Sequence, residues 1–177
     1  MAGLSKRSGS RILVFLAAWL SFAFTGPEID EYQVKAMFII NFAKYVDWSS
    51  NDNESALKIG IVGESKITEA LDRIAEYKKG NAKPLQILQL DPEKPVHCNI
   101  VFVARSESRR VQQLAKEFSG KGVLLISEDN NASSRAAGIN LIKSDNKIKF
   151  EINQSSIKLA GLRLSGQLQQ LAAALYP

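Results

Sequence analysis

The chain has 177 residues, 45% of them hydrophobic, and carries 23 basic against 18 acidic side chains. That is enough for one compact domain with a real core and no covalent staples. The basic excess is no nucleic-acid signature: Lys6, Arg7 and Arg11 lie in the first 23 positions with no acid, and without them the counts are 20 against 18, short of the concentrated basic face such binding needs.

Met1 to Thr25 reads as a cleaved secretory signal, with a basic start, an apolar run from Ile12 to Phe24, and the small residues Ser21 and Ala23 before the cut. The apolar run is 13 residues, short of the roughly 17 to 25 that span a bilayer. Residues 26–177 are then a single domain, expected to be free in the exported compartment. Cys98 is the single cysteine, so no internal disulfide can form. Close to Ile100, Val101, Phe102 and Val103, it reads as a buried thiol.

Glu31 to Trp48, EYQVKAMFIINFAKYVDW, is predicted as one helix. Tyr32, Ala36, Ile39, Ala43 and Val46 line one face, Phe38, Phe42 and Tyr45 a second, and Met37, Ile40 and Trp48 a third, so it should be buried on more than one side. Asp30 with Gln33 offers a capping box, and the run Ser49 to Asn53 ends the helix. Part of so apolar a surface is expected to meet a partner chain.

Leu57 to Val62, LKIGIV, reads as a strand buried on both faces and ended by Gly63. An amphipathic helix follows through Ile67, Ala70, Leu71 and Ile74, with Gly80 beyond it, then a strand from Leu85 to Leu90. Asn99 to Ala104 is the third strand, Val111, Leu114, Ala115 and Phe118 mark a helix, and Val123 to Ile126 is the fourth strand. The alternation implies a mostly parallel mixed sheet with helices on both faces. The connection from Asp91 to His97, with Pro92 and Pro95, is short for a crossover helix. Ile148, Phe150 and Ile152 alternate with Lys147, Lys149 and Glu151, so 138–143 and 147–152 make an antiparallel hairpin around Ser144 to Asn146 with one wet face. Asn153 should cap a final helix whose Leu164, Leu168, Leu171 and Leu175 share a stripe, kinked at Gly161 and Gly166. In the expected order the first and third strands are central, the second is at one edge and the hairpin is at the other.

Catalytic chemistry cannot be assembled from these residues. His97 is the single histidine, and at a strand start it points away from its neighbour Cys98, so the two form no thiolate pair. One histidine and one cysteine make no zinc site, and no cofactor motif is present. IGIVGES at 59–65 lacks both the dinucleotide glycine spacing and the lysine of a phosphate loop. Gly63 then permits a tight turn and Ser65 caps a helix. The adjacent acids Glu128 and Asp129 have nothing to separate their pKa values. Lys78, Lys79 and Lys83, like Arg109 and Arg110, read as solvated charge at element ends.

In open α/β sheets ligands bind beyond the carboxyl ends of the strands, which designates Gly63, Glu64 and Ser65, Arg105 and Ser106, and Ser127 and Glu128. Arg105 is either a fork for a phosphate or carboxylate or the ion-pair partner of Glu107 or Glu128.

Four segments, Glu31 to Trp48, LKIGIVG at 57–63, HCNIVFV at 97–103 and FEINQSSIKLAGLRLSGQLQQLA at 150–172, together resemble the YfiR-like family of exported bacterial proteins. The first and last carry the specificity. The resemblance implies a non-catalytic periplasmic regulator that docks on the periplasmic part of an inner-membrane diguanylate cyclase and holds it inactive, and it implies a homodimer. Related domains also accompany histidine kinases and other membrane sensors. Familiar members carry cysteine pairs, so redox control through an internal bridge does not transfer to a chain with Cys98 alone. The surface expected to meet a partner or second copy comprises Phe38, Asn41, Phe42, Lys44, Tyr45, Trp48, Arg163 and Gln167. The alternative is a periplasmic receptor for a nucleotide-like or carboxylate ligand at the strand-end crevice.

Overall fold

The computed structural model describes residues 30–48, 55–78, 80, 83–91, 96–129 and 135–177. The signal at 1–25, the helix stop at 49–53, Lys79 and the prolines at 92 and 95 lie outside the described residues. In chain order the elements are α1 (Glu31–Phe42), β1 (Val46–Asp47), β2 (Leu57–Val62), α2 (Ile67–Tyr77), β3 (Leu85–Leu90) and β4 (Ile100–Val103). A 3-10 helix, Arg105–Arg110, leads into α3 (Val111–Glu117), followed by β5 (Leu124–Ser127), β6 (Ile139–Ser144), β7 (Lys147–Asn153), α4 (Gln154–Leu159), β8 (Arg163–Leu164), α5 (Gly166–Leu171) and β9 (Ala174–Tyr176).

One sheet of seven strands runs in the order β3-β2-β4-β5-β6-β7-β9, and β1 pairs with β8 in a separate ribbon. The strands from β3 across to β6 are mutually parallel, β7 is antiparallel to β6, and β9 is parallel to β7. This is the mixed, mostly parallel α/β architecture the alternation predicts. Successive residues of β4 face opposite sides, so Ile100 and Phe102 join a core under α1 and α2 while Val101 and Val103 join a second core under α3. That two-sided burial is why the inner strands are apolar without a break. The hairpin turns on Asp145 and Asn146, both at positive φ (52° and 57°), the two-residue geometry that matches strand twist.

Three expectations need correction. The first helix stops at Phe42 rather than Trp48. Beyond it Val46 and Asp47 pair with Leu164 and Arg163, and Ser165 N–H donates to Tyr45 O at 2.9 Å, so a tertiary ribbon takes over the backbone bonds that another helical turn would have made. The capping box does not close: Asp30 Oδ1 accepts from Tyr32 N–H at 3.3 Å.

The C-terminal helix is likewise broken, into α4, β8, α5 and β9. Gly161 is not a kink but a helix stop at φ +79°. Its N–H donates to Lys158 O at 2.9 Å and that of Leu162 to Ile157 O at 3.0 Å, the paired bonds of a Schellman cap. Ser165 Oγ then accepts from Leu168 N–H at 3.3 Å and starts α5. Of the supposed leucine stripe only Leu168 is buried, while Leu171 and Leu175 are 69% and 47% exposed. The sheet therefore ends in β9, one strand beyond the hairpin.

Candidate functional site

Counted from β2, the first five strands take the order 2-1-3-4-5, whose direction of winding reverses between β2 and β4. The predicted crevice lies beyond the carboxyl ends of those two strands. The sequence does gather Gly63, Glu64, Ser65, Arg105 and Ser106 there, with Ser127 and Glu128 one strand further on. The mouth is occupied by the protein's own side chains. A Cβ on Gly63 would come within 2.7 Å of Glu107 Cγ and 2.9 Å of Ser106 Oγ, and the residue sits at φ +87°, so glycine is what lets the two loops close on each other.

The polar groups there have internal work. Ser65 Oγ accepts from Ile67 N–H at 3.2 Å, helping to start α2. Ser127 Oγ donates to Asn140 Oδ1 at 2.9 Å. Arg105 lies over the backbone of Glu128, its Nε–H donating to Glu128 O at 3.5 Å, and its own N–H donates to Glu128 Oε1 at 3.4 Å. Glu107 pairs instead with Arg110 at 2.9 Å.

Glu128 is the pivot of an ionic chain that the sequence reading missed. Its Oε2 accepts from Lys35 Nζ at 2.6 Å, and both side chains are only 3% exposed. Lys35 also pairs with Glu31 Oε1 at 2.7 Å, and Glu31 Oε2 with Lys143 at 2.9 Å. Burial alone would push the Lys35 ammonium down, but the hydrogen bonds it donates to Glu128 and then Glu31, with their charges, hold it above the ordinary lysine value. The bond from Lys35, and then that from Lys143, outweighs partial burial and lowers the Glu31 carboxyl. Charges thus tie α1 to the end of β5 and to β6. The available signal was a lysine in an otherwise apolar helix with an acid four residues before it.

On the other side of the same three-residue segment, Asn140 accepts from Ser127 Oγ and, at 3.3 Å, from Asp129 N–H. It donates to Asp129 O at 2.9 Å and to Glu151 Oε2 at 3.2 Å. Tyr176 Oη donates to Glu151 Oε1 at 3.0 Å, and this bond raises the phenol's pKa. Glu128 and Asp129, read as loop neighbours, are in fact buried, Glu128 bound through its carboxylate to Lys35 and Asp129 through its backbone to Asn140.

The expected partner surface divides. Phe42 belongs to the core at 1% exposure, stacked at 5.7 Å on Phe38 and edge-on at 5.0 Å to Phe150. Phe38, Tyr45 and Trp48 are half-buried, the last donating its indole N–H to Ala43 O at 3.1 Å. Asn41, Lys44, Arg163 and Gln167 are exposed. The β1–β8 ribbon brings the chain around Lys44 to Trp48 against that around Arg163 to Gln167, although more than a hundred positions separate them. Arg163 clamps Asp47 Oδ2 through Nη2 at 2.7 Å and Nε at 3.0 Å, and Lys44 Nζ donates to Asn41 Oδ1 at 3.1 Å.

Among the described residues, no helix is long and apolar enough to cross a membrane and no cluster of His, Cys, Asp or Glu is arranged to hold a metal. His97 is exposed and Cys98 buried at 0%.

Taken together, these features define an α/β domain with a closed strand-end crevice and a polar surface where its first helix meets its C-terminal segment. The YfiR/HmsC-like family model matches residues 32–173. The chain belongs to that family, one of periplasmic signalling regulators.

Proposed function

We propose that this chain is exported through residues 1–25 and acts as a non-catalytic regulator. It docks on the periplasmic part of an inner-membrane signalling protein, of diguanylate cyclase or histidine kinase type, and represses its output by preferring one of that protein's conformations. The observation that carries this reading is the β1–β8 ribbon, which joins the first and last of the segments that carry the resemblance into one surface where Lys44, Asp47 and Arg163 are exposed. The docking face comprises Asn41, Lys44, Arg163 and Gln167 with the exposed edges of Tyr45 and Trp48. Internal hydrogen bonds at the strand-end crevice favour docking over a ligand receptor there, and a homodimer would use the same end of the molecule.

Photo-crosslinking in cells from a reactive residue at Lys44 or Arg163 tests this. Recovery of an inner-membrane sensor with a cytoplasmic signalling domain is expected, and Arg163→Glu should release its output, read as a rise in cyclic-di-GMP for a cyclase partner. Recovery of nothing but a second copy of the chain would overturn the docking assignment.

A further inference from the structure

A groove of about 450 Å³ opens between α3 and α4, lined by residues of neither β1 nor β8. Its lining includes the small residues Ala115, Ala136 and Ala160, where larger side chains would narrow it. Its walls are tied together by the chain, since Gly120 N–H donates to Leu159 O at 2.7 Å and Gly122 N–H to Ala160 O at 2.8 Å. A Cβ on Gly138 would lie 2.5 Å from Ile157 Cδ1, so the Ile157 side chain would have to move to admit one.

Besides the Gln112 amide and the Lys116 ammonium, the polar side chains of the lining are bonded to backbone carbonyls. Ser119 Oγ donates to Leu159 O at 3.2 Å and Ser156 Oγ to Ala136 O at 2.9 Å. Among the described residues the single charged side chain in the lining is Lys116, on the exposed face of α3. Lys121 adds a second cation nearby, its Nζ 5.9 Å from the centre of the Phe118 ring. The volume falls within the roughly 300 to 1,000 Å³ of small-molecule sites. It is poorly suited to a partner helix, which is about 10 to 12 Å across with its side chains.

We propose that this groove binds one aliphatic chain bearing an anionic head group. The chain lies against Ala115, Phe118, Leu125 and Ile157, and the head pairs with Lys116. Apolar walls supply affinity through desolvation, and cations without a lining acid select the sign of the head. The site is independent of the docking surface, so either assignment can fail without the other.

Calorimetric titration of the purified chain with dodecanoate, below the concentration at which it forms micelles, tests the site, with dodecan-1-ol as the uncharged control. Saturable one-to-one binding is expected, with a rise in melting temperature, because a ligand that binds only the native state stabilises it. Ala115→Trp, checked by its melting without ligand, should lose at least about tenfold in affinity. If that variant does not fold, Ala160→Phe on the opposite wall carries the same expectation. Lys116→Gln should weaken dodecanoate about two- to fivefold, the range of one exposed ion pair, and leave dodecan-1-ol unchanged. Absence of saturable binding, or retention of full affinity by a folded wall variant, would overturn the site. Equal binding of acid and alcohol would overturn the anionic head.

Discussion

At Lys35 the balance of forces is steep, because its side chain and that of Glu128 are both 3% exposed. Removing one partner of a buried pair strands the other charge, which costs about 3 to 5 kcal/mol, whereas replacing both with apolar groups is often neutral. Lys35→Ala should therefore lower stability by that amount in chemical denaturation, and Lys35→Met with Glu128→Leu should recover most of it. If the single and double variants were equally destabilised, the pair would not be the reason for the loss. The Glu31 carboxyl titrates lower in the folded protein than its ordinary value of 4.5 because of Lys35 first and Lys143 after it. A depressed carboxyl contributes stability that is complete above its unfolded value and fades as pH falls through its folded one. The melting difference between the wild type and Glu31→Gln should accordingly be full near neutrality, shrink below pH 4.5 and vanish at lower pH. The raised Lys35 works in the opposite sense: its share persists below the ordinary value of 10.5 and is lost as pH climbs past its folded value. Thermal melts across the acid range would expose the first effect without interference from the second.

Two glycines at positive φ separate what an element end needs from what a close approach needs. Gly161 ends α4 at φ +79° with nothing within 4 Å of a Cβ, while Gly63 at φ +87° has Glu107 and Ser106 against that position. Gly161→Ala should cost about 1 to 2 kcal/mol, the left-handed strain alone, and Gly63→Ala clearly more, with denaturant midpoints as the readout. Equal losses would mean that the loops after β2 and β4 are free to separate. The parallel strands were legible because burial on both faces writes an unbroken apolar run, as in LKIGIV, and the hairpin because one wet face writes an alternation. The end of α1 was not, because the competing bonds are tertiary: Val46 pairs with Leu164 across 118 positions of chain. The leucine period through Leu164, Leu168, Leu171 and Leu175 fits a helix whether or not the chain turns at Gly161. At the candidate site the strand-end positions were found, and Ser65 was legible as a helix start, but the sequence does not reveal that Ser127 and Glu128 are occupied, because their partners Asn140 and Lys35 come from elements distant in the chain.

Across the whole molecule, the sheet depends on how its last edge is closed. β7 is seven residues long, and β9 pairs with its final three, Glu151 to Asn153. The closing strand is held by the Tyr176 bond to Glu151, by Arg135 stacked 5.0 Å from the Tyr176 ring centre, and by Ala173 N–H donating to Phe150 O at 2.8 Å. Loss of β9 would leave those backbone groups of β7 as an open edge beside a buried Phe150 and Ile152, and an unpaired edge is a template for pairing with another chain. Deletion of residues 174–177 is therefore expected to convert the protein into higher oligomers or aggregates in light scattering, at concentrations where the intact chain does not assemble further. Tyr176→Phe removes one hydrogen bond while keeping the strand, so it should soften the fold slightly without that assembly. The contrast distinguishes edge protection from simple loss of stability: aggregation in both variants would assign the effect to weakened folding, and aggregation in the deletion alone assigns it to the exposed strand.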